Sequence, residues 1–135
     1  MDGLHILANL YRCAGEPRYL TDRAALRGLC LAAIERAGLT ALGDLFHQFD
    51  GGGATGCIVL AESHVAIHTW PEFATVTLDA FVCNYSRDNT ARAHGLVDEL
   101  VAIFRPEDVL RHEVRRDLTA ADAATRGATL RRAAG

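Results

Sequence analysis

The chain has 135 residues, half of them hydrophobic and 23% charged, with a formal net charge of −3. One compact domain with a substantial core is expected at this length, and disorder, which needs low hydrophobicity and high net charge, is excluded. The acidic balance offers no general attraction to nucleic acid, and no apolar run approaches the ~20 residues that span a bilayer.

The opening "MDGLHILANLYRC" has no basic n-region and no small-residue cleavage site. No signal peptide is read, and a cytoplasmic location is expected. Cys13, Cys30, Cys57 and Cys83 are scattered without a CxxC pair, which argues against a zinc ribbon or a thioredoxin-like motif. In a reducing compartment most should be free thiols, inert where buried.

Along the chain, "LHILANLYR" alternates Leu4, Ile6, Ala8 and Leu10 against polar neighbours, the pattern of a half-buried strand. "TDRAALRGLCLAAIERAG" reads as a helix capped by Thr21 and closed by Gly38. Its apolar face is Leu26, Leu29, Cys30, Ala33, Ile34 and Ala37. "LGDLFHQFD" alternates again, and Gly51 to Gly53 make a turn. "ATGCIVLAES" and "VAIHTW" are extended, interrupted near Glu62-Ser63 and ended by Pro71. "ATVTLDAFVC" resumes as a strand. A second helix runs from Asp88 to Phe104, with Ala93, Val97, Leu100, Val101 and Phe104 on its face, and Arg105-Pro106 stops it. The charged "DVLRHEVRR" is a last strand near an edge. Residues 118–135 carry no partner signal and read as a frayed helix or a flexible tail.

Strand, helix, several strands, helix, strand is the order of an α+β fold. A mainly antiparallel sheet with two helices on one face forms a two-layer sandwich. Its uncovered sheet face favours a partner, most simply an identical one, giving a homodimer through the sheets.

The chemistry concentrates in "AESHVAIHTWPE", Ala61 to Glu72. A metal site is not expected, since there is no HExxH and no third ligand at a convincing spacing. His64 and His68 share a face of an extended strand but lie about 13 Å apart, too far for one ion. A serine hydrolase is disfavoured too, because Ser63 lacks a GxSxG elbow and its strand-turn-helix setting. Thr55, Ser63, His68, Glu72 and Cys83 all fall on successive predicted strands or their ends, so the pleat is expected to bring several of them together.

The stretch "ESHVAIHTWPE" closely resembles the active-site region of the prokaryotic S-adenosylmethionine decarboxylases. The likeness extends to "FHQF" upstream and "DAFVC" downstream, and covers Gly3 to Asp117. It implies a single domain over residues 1–117 and a proenzyme that cuts itself between Glu62 and Ser63, into chains 1–62 and 63–135. The Ser63 hydroxyl would attack the preceding carbonyl, Thr55 would donate to the oxyanion, and His68 would act as the processing base. Ser63 would become a pyruvoyl group, whose ketone forms a Schiff base with the substrate amine. Cys83 would protonate carbon after carbon dioxide departs. Glu72 would hold the ribose hydroxyls of S-adenosylmethionine, and Phe49 would stack on adenine, although a core role for Phe49 is equally open. The product would feed polyamine (spermidine) synthesis. The family's dimer carries active sites at its interface and stacks two sheets into four αββα layers.

This chain departs from the family pattern at several positions. Asn84 replaces a glycine after the cysteine, Gln48 a basic residue, Phe73-Ala74-Thr75 an aromatic-Gly-aromatic, and Asn9 an acidic residue. These leave arginine or ornithine as alternative substrates. A non-catalytic regulatory homologue is a further alternative, which the presence of Thr55, Ser63, His68 and Cys83 argues against.

Overall fold

The computed structural model describes residues 2–134. Strand β1 (Asp2–Tyr11) buries Leu4, Ile6, Ala8 and Leu10 on one face, as its alternation predicts. A short helix α1 (Arg18–Thr21) then leads into α2 (Arg23–Arg36). The cap of α2 is Asp22 rather than Thr21. The Asp22 carboxylate accepts from the backbone N–H of Ala24 and Ala25, while the Thr21 hydroxyl donates to the Pro17 carbonyl inside α1. Gly38 closes the helix at φ +79°, a conformation that glycine adopts without a Cβ penalty.

Strands β2 (Ala41–Gln48), β3 (Ala54–Leu60), β4 (Ser63–Trp70) and β5 (Thr75–Cys83) follow as an antiparallel meander. Helix α3 (Thr90–Phe104) starts two residues later than its sequence pattern suggests and ends at Arg105, which is left-handed, before Pro106. Its buried face also includes Leu96, whereas Val101 is only partly buried. Strand β6 (Asp108–Asp117) pairs with β1 at one edge, in the sheet order β2-β3-β4-β5-β1-β6. All five pairings are antiparallel. Beyond β6, helix α4 (Ala120–Thr125) is capped by Thr119, and Arg126 bridges back to Asp117 and Asp2.

Both long helices pack on one sheet face, and the core lies between them and the sheet. Leu26, Ile34, Leu96, Leu100 and Phe104 meet Ile6, Ile58, Ile67 and Val76 there. Each such burial contributes roughly 1.5–3 kcal/mol. Among the described residues no layer covers the opposite sheet face, which exposes Leu7, Leu45, Val59, Leu110 and Val114. Among the described residues, no helix is long and apolar enough to cross a membrane.

Candidate active site

The twelve-residue motif spans the hairpin turn between β3 and β4 and all of β4. Leu60 pairs with Ser63, so Ala61 and Glu62 alone form the connection. Glu62 sits at φ +64°, left-handed for a residue with a Cβ. Ala61 is not left-handed, so the turn has the φ order of type II. Two-residue hairpins favour primed turns, whose first position is left-handed and whose twist matches the strands. This turn therefore holds strain of about 1–3 kcal/mol immediately before the Glu62–Ser63 peptide bond.

Across the sheet, the Cys83 backbone N–H donates to Ser63 Oγ at 3.1 Å. Cys83 is itself held from behind, where Asn89 Nδ2 donates to its carbonyl at 3.0 Å. Asn84 Oδ1 accepts from the Asn89 N–H, and Asn84 Nδ2 donates to Asp2 Oδ1. The Asn84 hydrogen bond is the main reason that the Asp2 carboxyl titrates below its ordinary range, reinforced by Arg115 and Arg126. The asparagine that stands in place of the family's glycine thus ties the loop after Cys83 to β1. Asn89 Oδ1 is buried without a protein partner, and Asn89 lines a cavity of about 140 Å³ together with Glu62. Sequence reasoning missed Asn89; an asparagine ahead of a helix signals a cap, not a bond to the end of a strand.

The other end of the sheet holds a second group. Thr55 and His68 are register partners on β3 and β4, and the Thr55 hydroxyl lies 3.0 Å from His68 Nδ1. They line a cavity of about 230 Å³ with Phe49, Glu72, Trp70 and Gly53. Phe49 is half-exposed at this cavity, with the His47 ring edge-on at 4.7 Å, and does not belong to the core cluster. Its backbone is pinned across the glycine turn, its N–H donating to Gly53 O. Gln48 makes the adjoining link, accepting from the Arg23 N–H and donating to Gly53 O, so a neutral amide serves where a basic side chain is usual. The buried Thr69 hydroxyl donates to Leu20 O and accepts from the Ala54 N–H, fixing the cavity floor. A Cβ on Gly53 would stand 2.7 Å from Thr69 O, so the close approach of β3 to the end of β4 requires glycine.

Within one chain these groups come together in two pairs. Ser63 joins Cys83 and Thr55 joins His68, but Ser63 and His68 sit five residues apart on one strand, about 16 Å. His64 turns away from the motif altogether, towards His5 and Asp79.

The free thiols differ in setting. Cys30 is fully buried and burial pushes its thiol up to about 12; burial also raises that of Cys13. Both fit inert packing.

This arrangement of sheet, hairpin and cavity has close counterparts. The family S-adenosylmethionine decarboxylase matches residues 4–117. A protein of Parasynechococcus marenigrum named S-adenosylmethionine decarboxylase proenzyme is 38% identical over 116 residues, covering 85% of this chain and 83% of the relative. One of the same name from Archaeoglobus fulgidus is 36% identical over 112 residues, covering 83% and 94%. The crystal structure of the adenosylmethionine decarboxylase from Aquifex aeolicus superimposes with a TM-score of 0.78 at 30% identity, over 87% of this chain and 92% of that one. The fold and the site define an α+β domain of the kind found in these proenzymes. The chain belongs to the S-adenosylmethionine decarboxylase family.

Proposed function

We propose that this chain is a proenzyme that cuts itself at Glu62–Ser63 and, once cut, decarboxylates S-adenosylmethionine for polyamine synthesis. The observation that carries this reading is the Ser63 hydroxyl, held by the Cys83 N–H directly after a strained left-handed residue. In the cut, Ser63 Oγ attacks the Glu62 carbonyl carbon, the C–N bond breaks and an ester forms. A base takes the Ser63 α-proton and the O–Cβ bond breaks, leaving a Glu62 carboxylate and a dehydroalanine. Water then replaces the nitrogen, ammonia leaves, and a pyruvoyl group remains on residue 63.

The residues present fit such a group. It would lie at the β4 start, beside Cys83 and clear of the core. When formed, it supplies an electrophilic carbonyl that takes the substrate amine and accepts the electron pair left by carbon dioxide. Cys83 provides the proton that carbon then needs. Glu72 can accept hydrogen bonds from both ribose hydroxyls, and Phe49 offers a ring face to adenine. A cavity built around Phe49 and Glu72 favours a nucleoside substrate over arginine or ornithine, which have no ribose or base to hold.

Thr55 and His68 are too far from Ser63 to serve it within one chain. We assign them to the Ser63 of a second copy, with two sheets stacked face to face in a homodimer. The exposed apolar residues on the uncovered face support this, as does the division of the site between two sheet ends. Cytoplasmic residence agrees with a small-molecule biosynthetic role.

Intact mass under denaturing conditions tests the reading. Chains 1–62 and 63–135 are expected, the second blocked by a keto group reactive towards hydrazines, and Ser63→Ala should give one uncut chain. Comparing carbon dioxide release from S-adenosylmethionine, arginine and ornithine then tests the substrate.

A further inference from the structure

On the uncovered face, between the two site halves, three side chains from neighbouring strands converge. His5 on β1 and His64 on β4 both lie opposite Phe81 of β5, the strand between them. Asp79 precedes Phe81 by two residues and shares its face, so two imidazoles lean over one carboxylate from either side. His5 Nε2 is 2.9 Å from Asp79 Oδ2, and His64 Nε2 is 3.4 Å from the same oxygen. One donor atom from each residue falls within 4.8 Å of the other two. All three side chains are partly exposed, and the two rings stand edge to face at 5.7 Å.

We propose that His5, His64 and Asp79 form a binding site for one borderline divalent transition ion of the zinc type. Zinc bonds to imidazole nitrogen and carboxylate oxygen are about 2.0–2.2 Å long, which sets tetrahedral donor separations near 3.3 Å. The His64–Asp79 separation already matches. The His5–Asp79 contact must open by a few tenths of an ångström, and the imidazoles must draw together, which side-chain rotation allows. Two nitrogens and one oxygen select against magnesium and calcium, which prefer oxygen shells. The donors stand on three central strands of one sheet, a more exact support than a loop. The Arg116 guanidinium is held over the Phe81 ring, 4.7 Å from the centroid. The fourth coordination position faces off the sheet, into the layer between the two sheets of the proposed homodimer. Since His64 follows Ser63, a bound ion would clamp the start of β4.

The site does not depend on self-cleavage, so the test uses the uncut Ser63→Ala chain, untagged and stripped with a chelator. Titration with Co²⁺ should give one ion per chain with the visible d–d bands of a tetrahedral site, displaced by Zn²⁺. Asp79→Asn, or His64→Ala should the first fold poorly, is expected to weaken binding at least about 10–100-fold. Cys57→Ser should leave it unchanged. No saturable Co²⁺ binding, binding undiminished in both site variants, or binding lost with Cys57 would overturn the proposal. A chain that binds Co²⁺ but whose native form never cuts would sink the proposed function and leave this site standing.

Discussion

The two ends of the sheet are built differently. At the end of β4, a cavity is already formed: Thr69 fixes its floor, glycine lets the strands close, and Phe49, His68 and Glu72 face into it. At the start of β4 there is instead a strained two-residue turn, with the Ser63 hydroxyl hydrogen-bonded to the neighbouring strand. In the proposed reading, one end holds the substrate and the other is cut. On that reading neither is complete, because His68 and Ser63 stand about 16 Å apart on the same strand.

Substitutions can separate the ends. Cys83→Ala should leave cutting intact and lower decarboxylation by about 10²–10⁴-fold, the usual contribution of a placed general acid. Loss of cutting instead would mean that the thiol, and not only its backbone N–H, serves the turn. At the cavity end, Phe49→Ala should leave cutting intact and raise KM by about 5–150-fold, the equivalent of ~1–3 kcal/mol of base stacking. An unchanged KM with destabilised protein would return Phe49 to the core.

Between the ends, packing is tight. A Cβ on Gly56 would meet the Phe46 ring at 2.1 Å, so Gly56→Ala should cost about 1–3 kcal/mol in urea unfolding. The smallest effect is a pH dependence. The folded Asp2 carboxyl lies below its unfolded value, so its contribution is present above about pH 4 and fades as pH falls through the folded pKa. Asp2→Asn should flatten the acid limb of a thermal unfolding profile in that window.

Much of this was legible in the sequence. Alternation located the strands, and the order of the motif residues along successive strands signalled that some of them would meet. The cap of α2 was misplaced because Thr21 and Asp22 are adjacent candidates and the preceding turn of helix claims the threonine. Which of the motif residues would meet was less legible, because only the strand register shows that Ser63 and His68 stand about 16 Å apart on β4. His5, His64 and Asp79 left no local signal, because pairing of β1 with β5 joins residues 74 positions apart. Asn89 was equally hidden, since its partner is a strand carbonyl.

The central claim is that each scissile bond is served by groups from two copies. Co-expression of Ser63→Ala with His68→Ala tests it directly, since neither variant alone should yield a keto-terminated chain. In mixed dimers, the His68→Ala chain should be cut and acquire the keto group, identified by its mass. If that chain stays unprocessed although mixed dimers form, the site is contained within one copy and the account is wrong.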